Sequence, residues 1–248
     1  MITLKSNRQI AYMKEAGRIV AESLAFLAKM VEPGITTEEL DLAAEEYILK
    51  RDALPAFKGY QGFPATICAS VNDEVVHGIP GLRKLQSGDI ISIDIGAVKN
   101  GFFGDSAITV PVGDVAEDKL RLLAVTEESL MEGIKHAVIG NHLSDISHAV
   151  QTYVERHGYS VVRDYVGHGI GRKMHEEPQI PNFGKPGHGP RLAKGMTLAV
   201  EPMVNIGTYK VRTLLDNWTV VTEDGQCSAH FEHTIAITTE GPEILTKL

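Results

Sequence analysis

The sequence predicts an α+β fold made of two related halves, with antiparallel strands in one sheet and helices packed on one of its faces. Two alignments and one turn carry this reading. The segment GITTEELDLAAEEYI (Gly34 to Ile48) matches GNHLSDISHAVQTYV (Gly140 to Val154), glycine on glycine and tyrosine on tyrosine. GDIISID (Gly88 to Asp94) matches GMTLAVE (Gly195 to Glu201) at almost the same offset, as a duplicated unit would. Asn100-Gly101 joins two apolar runs and is the strongest two-residue hairpin signal, because a type I′ turn needs positive φ at both central residues. A single domain over residues 1–248 is expected, with halves of roughly 1–110 and 111–248.

The elements follow in order. Ser6 with Gln9 three residues on predicts a capped helix whose apolar positions Ile19, Val20, Leu24, Leu27 and Val31 recur at helical spacing, stopping at Pro33-Gly34. Thr36 with Glu39 opens a second helix through Leu40, Ala43, Ala44, Tyr47 and Ile48. The hairpin from Gly88 to Val110 comes next. A third helix follows Asp114 and a fourth starts near Ser144. The strand runs GMTLAVE and EHTIAIT complete the second half.

Composition bounds the chemistry. The 248 residues are 43% hydrophobic, enough for a sizeable core. A net charge of -8 and a pI near 5.7 argue against general affinity for nucleic acid or anionic membrane. Two distant cysteines, Cys68 and Cys227, give neither a disulfide framework nor a CxxC metal spacing. With no signal-peptide core near the start and no apolar run of about 18 residues, a cytoplasmic protein is expected.

Four acids stand where strands would place apolar residues. If Asn100-Gly101 sets the register, Gly96 lies opposite Asp105 and Asp94 opposite Ala107, so Asp94 and Asp105 share a face as diagonal neighbours about 7–8 Å apart. Glu201 ends one apolar run and Glu232 opens the last alternating strand. Desolvating four carboxylates costs several kcal/mol unless cations compensate, and no lysine or arginine lies within these strand cores. A metal is the preferred remedy. Oxygen ligands alone suit Mg, Ca or Mn, and an added imidazole shifts the choice towards Mn, Fe, Co or Zn.

Candidate imidazoles are His168 and His175 in YVGHGIGRKMHEEPQIP, and His77 in NDEVVHGIPG. The glycines around His168 fit neither GxGxxG nor GxxxxGK[ST], so a phosphate loop is disfavoured. His136, His142, His148, His157 and His188 are read as surface histidines. No GxSxG elbow occurs and neither cysteine neighbours a histidine in a motif, which disfavours nucleophilic catalysis.

Together, Asp94, Asp105, GHGIGRKMHEEP, EPMV and EHTI resemble the bacterial type I methionine aminopeptidases over nearly the whole chain. The resemblance implies a pita-bread fold and a metallopeptidase that removes N-terminal methionine from nascent polypeptides whose second residue is small. It implies two divalent ions, Co, Mn, Fe or Zn. Asp94 would hold one, His168 and Glu201 the other, and Asp105 and Glu232 would bridge them, activating a water that attacks the methionine carbonyl. Glu201 would accept a proton, His175 would bind the carbonyl oxygen, and His77 would contact the scissile nitrogen. The α-amine would meet the ion held by Asp94. Tyr60, Phe63, Cys68 and Trp218 would form the methionine pocket, with Phe63 and Met174 departing from the residues common in bacterial members. A monovalent cation near the Asn72 loop and Ser228, ribosome contact and a monomeric state are further expectations. A pita-bread Xaa-Pro peptidase is disfavoured because such relatives usually carry a large N-terminal domain. A non-catalytic peptide- or ribosome-binding relative is disfavoured because all five ligands are present.

Overall fold

Helix α1, Asn7–Met30, begins where Ser6 and Gln9 satisfy each other's backbone: the Gln9 side chain accepts the Ser6 N–H at 2.9 Å and Ser6 Oγ accepts the Gln9 N–H at 3.4 Å. Helix α2, Thr37–Leu49, has the same reciprocal cap between Thr36 and Glu39, at 2.8 and 3.1 Å. Each cap satisfies donors that the first helical turn leaves open. Helix α3, Glu117–Lys135, has no side-chain cap, and Glu117 and Asp118 instead oppose the positive end of its dipole. Helix α4, Leu143–Arg156, starts where Asp145 accepts the His142 N–H at 2.8 Å.

The computed structural model describes all residues from Met1 to Leu248. Its main sheet has nine strands. Along its central path lie Leu54–Pro55, Ile90–Lys99, Phe102–Pro111, Glu232–Thr238, Thr197–Val200, Gly167–Gly169 and Glu176–Ile180, all paired antiparallel. The hairpin of the first half therefore lies directly against a strand of the second. Asn100 and Gly101 have φ of 54° and 73°, and the pairs Lys99 with Phe102, Gly96 with Asp105 and Asp94 with Ala107 match the register expected from that turn.

Alternation then divides the two faces. Ile91, Ile93 and Ile95 pack with Val20, Leu24 and Leu27 of α1 and with Leu40 and Ile48 of α2. Leu198, Val200, Ile235 and Ile237 pack with Leu122, Leu130 and Ile134 of α3 and with Ile146 and Val150 of α4. Truncating one of these fully buried leucines or isoleucines to alanine costs about 2–5 kcal/mol. At Gly104 the sheet meets α1 so closely that a Cβ would lie 2.8 Å from the Gly17 nitrogen. The helices cover one face. The residues of opposite parity, Asp94, Asp105, Ala107, Ala199 and Glu232 among them, turn to the other.

Candidate metal centre and its pocket

On that second face the register collects the acids. Ala107 pairs with Asp94 on one side and with Glu232 on the other, so a small residue separates two carboxylates. Asp105 precedes Ala107 on the same face of its strand. His168 pairs with Ala199, two residues before Glu201 on the neighbouring strand. Ligand-capable atoms of Asp105, His168 and Glu232 lie within 4.8 Å of one another, as do those of Glu201, His230 and Glu232. The two groups share Glu232.

These side chains are buried or half-buried and short of partners. Asp94 Oδ1, Asp105 Oδ1, Glu232 Oε1 and His230 Nε2 have no hydrogen-bond partner. Every ion pair that uses a lysine or arginine leaves the four acids untouched. Burial and then the charge of Asp105 push the Asp94 carboxyl well above its ordinary range. Burial lifts Asp105 to about 8, and burial followed by the neighbouring carboxylates lifts Glu201 and Glu232. Either protons or cations must neutralise the cluster. Carboxylate oxygens with orphaned lone pairs, converging with imidazole nitrogens, are a donor set that fits divalent ions.

The glycines around His168 serve packing. A Cβ on Gly167 would lie 2.4 Å from the Ala199 carbonyl oxygen, and one on Gly169 2.2 Å from that of Glu177. Only glycine lets this short strand fit between its neighbours. His168 Nδ1 donates to the Gly169 carbonyl at 2.9 Å, which leaves the Nε2 lone pair turned towards Glu201 Oε1 at 3.6 Å and Asp105 Oδ2 at 3.7 Å. A backbone partner of this kind fixes the ligating tautomer of a histidine.

The acids form the floor of a cavity of about 940 Å³. Tyr60, Phe63, Cys68 and Trp218 line it and pack with Phe57 and Met174 in one apolar cluster. Phe63 meets the Trp218 ring edge-on at 5.1 Å. Cys68 pairs with Asp94 across the sheet, and burial, then the charge of Asp94, holds its thiol protonated. His77, with a left-handed φ of 60°, stands edge-on to Tyr165 at 5.5 Å and to Trp218 at 6.4 Å. The His175 ring lies tilted by 57° to that of His168, centroids 4.2 Å apart, and its Nδ1 lies 2.8 Å from the Tyr60 hydroxyl. Burial first, then neighbouring histidines, pushes both His77 and His175 down to about 4. Both are neutral at pH 7.

Every site residue expected from the sequence thus lines one cavity, and the five surface histidines do not. The structure adds Phe57 and Tyr165 to the walls and sets His230 beneath the lining, grouped with Glu201 and Glu232. His230 ends the strand Ser228–His230, is 1% exposed, and places Nε2 3.8 Å from Glu201 Oε2. Its signal in the sequence is the alternation His230-Phe231-Glu232, which puts the imidazole on the same face as the acid two residues on.

The profile of metallopeptidase family M24 matches residues 11–239. The chain is 60% identical to methionine aminopeptidase 1 of Bacillus subtilis, over all of both chains. It superposes on the crystal structure of a methionine aminopeptidase from Thermotoga maritima with a TM-score of 0.98 and 49% identity, again over all of both. A prolidase from Pyrococcus furiosus, 20% identical, shares the fold at a TM-score of 0.81 over 99% of this chain and 65% of its own. The fold is the pita-bread fold that the resemblance implies, and the chain belongs to metallopeptidase family M24, alongside the bacterial methionine aminopeptidases.

Proposed function

We propose that the protein removes the N-terminal methionine from polypeptides whose second residue is small. The observation that carries this is a floor of two metal-capable donor groups sharing Glu232, beneath a cavity with an apolar aromatic wall. Asp94, Asp105, His168, Glu201 and Glu232 would hold two divalent ions, Co, Mn, Fe or Zn by donor chemistry. Bound there, the ions supply Lewis acidity and lower the pKa of water.

The chain's own residues do the rest. Phe63, Trp218, Cys68 and Tyr60 receive the methionine side chain, whose thioether packs well against aromatic edges. His175 donates to the carbonyl oxygen as negative charge develops there, and His77 contacts the scissile nitrogen. Glu201, in the floor beside His168, accepts and returns a proton. The α-amine lies towards Asp94, so cleavage stops after one residue. The burial of both neutral histidines supports donor roles, since neither starts as a cation.

The same reading takes residues 1–248 as one catalytic domain with duplicated halves, each a helix pair followed by strands. It places a monomer in the cytoplasm, meeting nascent N-termini at the ribosome, and no helix is long and apolar enough to cross a membrane. It includes a monovalent cation on main-chain oxygens near Asn72 and Ser228. The left-handed φ of 59° at Asn72 and the 2.8 Å bond from the Ser228 N–H to the Asn72 carbonyl, which join the two segments, support that part.

Metal-reconstituted protein incubated with Met-Ala-Ser, Met-Lys-Ser and Xaa-Pro peptides, with products identified by mass, tests the proposal. Release of methionine from Met-Ala-Ser alone is expected. Comparable cleavage of Met-Lys-Ser overturns the specificity, and preferential Xaa-Pro cleavage overturns the function.

A further inference from the structure

We infer that His230 is a metal ligand, giving the centre a second imidazole, an inference that rests on the metal-centre reading above. Its backbone is fixed on both sides. The His230 N–H donates to Thr109 Oγ1 at 2.9 Å, and its carbonyl accepts the Thr109 hydroxyl at 2.8 Å. Pairing with Met203 and alternation with Glu232 then aim the ring at the acids. The ring is 1% exposed and Nε2 has no hydrogen-bond partner. Burying an unpartnered polar atom is costly, and nothing in the protein compensates it.

The distances say what would. Nε2 lies 3.8 Å from Glu201 Oε2, too far for a hydrogen bond. Donors that each sit about 2.1 Å from one ion lie roughly 3–4 Å apart. Glu201 is therefore flanked in the same manner on both sides, Oε1 by His168 at 3.6 Å and Oε2 by His230 at 3.8 Å. Glu201, His230 and Glu232 make a ligand group in their own right. Four carboxylates with two imidazoles shift preference further from Mn towards Fe, Co and Zn than four with one.

Cobalt is a suitable probe. The full chain, stripped of metal and reloaded with two equivalents of Co²⁺, is examined by X-ray absorption, which counts imidazoles per cobalt, and by calorimetry. The wild type is expected to show on average one imidazole per cobalt, and His230→Gln about half that. The variant is expected to lose affinity for one of the two ions by more than the roughly 10- to 100-fold that an outer-shell partner costs. An average of one imidazole for every two cobalts in the wild type overturns the inference, whether or not the variant folds. So does an unchanged count or unchanged affinity in a folded His230→Gln, and the metal-centre reading then survives. A wild type that fails to bind two ions overturns both.

Discussion

The Tyr60 hydroxyl lies 2.8 Å from Nδ1 of His175, tying a wall of the cavity to the imidazole that stands over its floor. With the phenol donating, His175 carries its proton on Nε2, the nitrogen free to face a substrate carbonyl. His175→Ala is expected to lower kcat by roughly 10²- to 10³-fold, as loss of an oxyanion donor does, with metal affinity unchanged. Tyr60→Phe, which loses only the orienting bond, is expected to lower kcat by about tenfold or less. Turnover measured against metal concentration checks both. Full rescue of His175→Ala by excess metal would make His175 a ligand instead.

Asp105 sits between the partners on either side of the floor, 3.7 Å from His168 Nε2 and in contact with Asp94. Asp105→Ala is expected to abolish binding of two ions per chain in calorimetry. The wild type is expected to gain about 2.7 kcal/mol of stability for each ion at a metal concentration 100 times that ion's Kd, and to lose it to a chelator. Two-ion binding that persists in the variant would refute the bridging role.

Phe63 is 4% exposed and meets Trp218 edge-on, so its ring helps define the apolar wall. Phe63→Ala is expected to raise KM for Met-Ala-Ser more than it lowers kcat, because the lost contact is made equally in the ground and transition states. A fall in kcat with KM constant would remove Phe63 from the binding role.

The ion pair of Lys5 with Glu176 pins the N-terminal segment, with the two side chains 2.5 Å apart and 3% and 12% exposed. Burial alone would raise the Glu176 carboxyl, but the Lys5 ammonium and the N–H groups of Lys173 and Arg172 hold it below its ordinary value. A carboxyl lowered in the folded state stabilises above its unfolded pKa and loses that contribution as pH falls through the folded one. Glu176→Gln, which strands a buried lysine, is expected to cost about 3 kcal/mol at pH 7. The gap between wild type and variant in urea unfolding should shrink steadily below pH 4.5, the carboxyl's ordinary value. A gap independent of pH would rule out the charge as its source.

What the sequence disclosed, and what it withheld, follows the range of the signals. Asn100-Gly101 specified its own turn, and through it the shared face of Asp94 and Asp105, because hairpin register is local. The two capping boxes named helix starts for the same reason. His230 escaped because the strand was expected to open at Glu232, and the short break around Phe231 hides an alternation that continues across it. The link between Tyr60 and His175 joins segments far apart in the chain, which no local pattern encodes. The glycines around His168 were visible, but their purpose was not. It lies in the carbonyls of two strands that only the fold brings near.

The Asn100-Gly101 turn acts as a ruler for chemistry in which it takes no part. Insert one residue there and the returning strand slips by one position, which exchanges its faces. Asp105 would then take the place of Ser106 and turn away from the acids, while Phe103 would move to where Gly104 now faces α1, into a gap that leaves no room for even a methyl group beside Gly17. Surface loops ordinarily tolerate added length, and this one should not. A mutational survey would score two exposed residues as intolerant to insertion as the buried acids are to substitution, although neither touches the cavity.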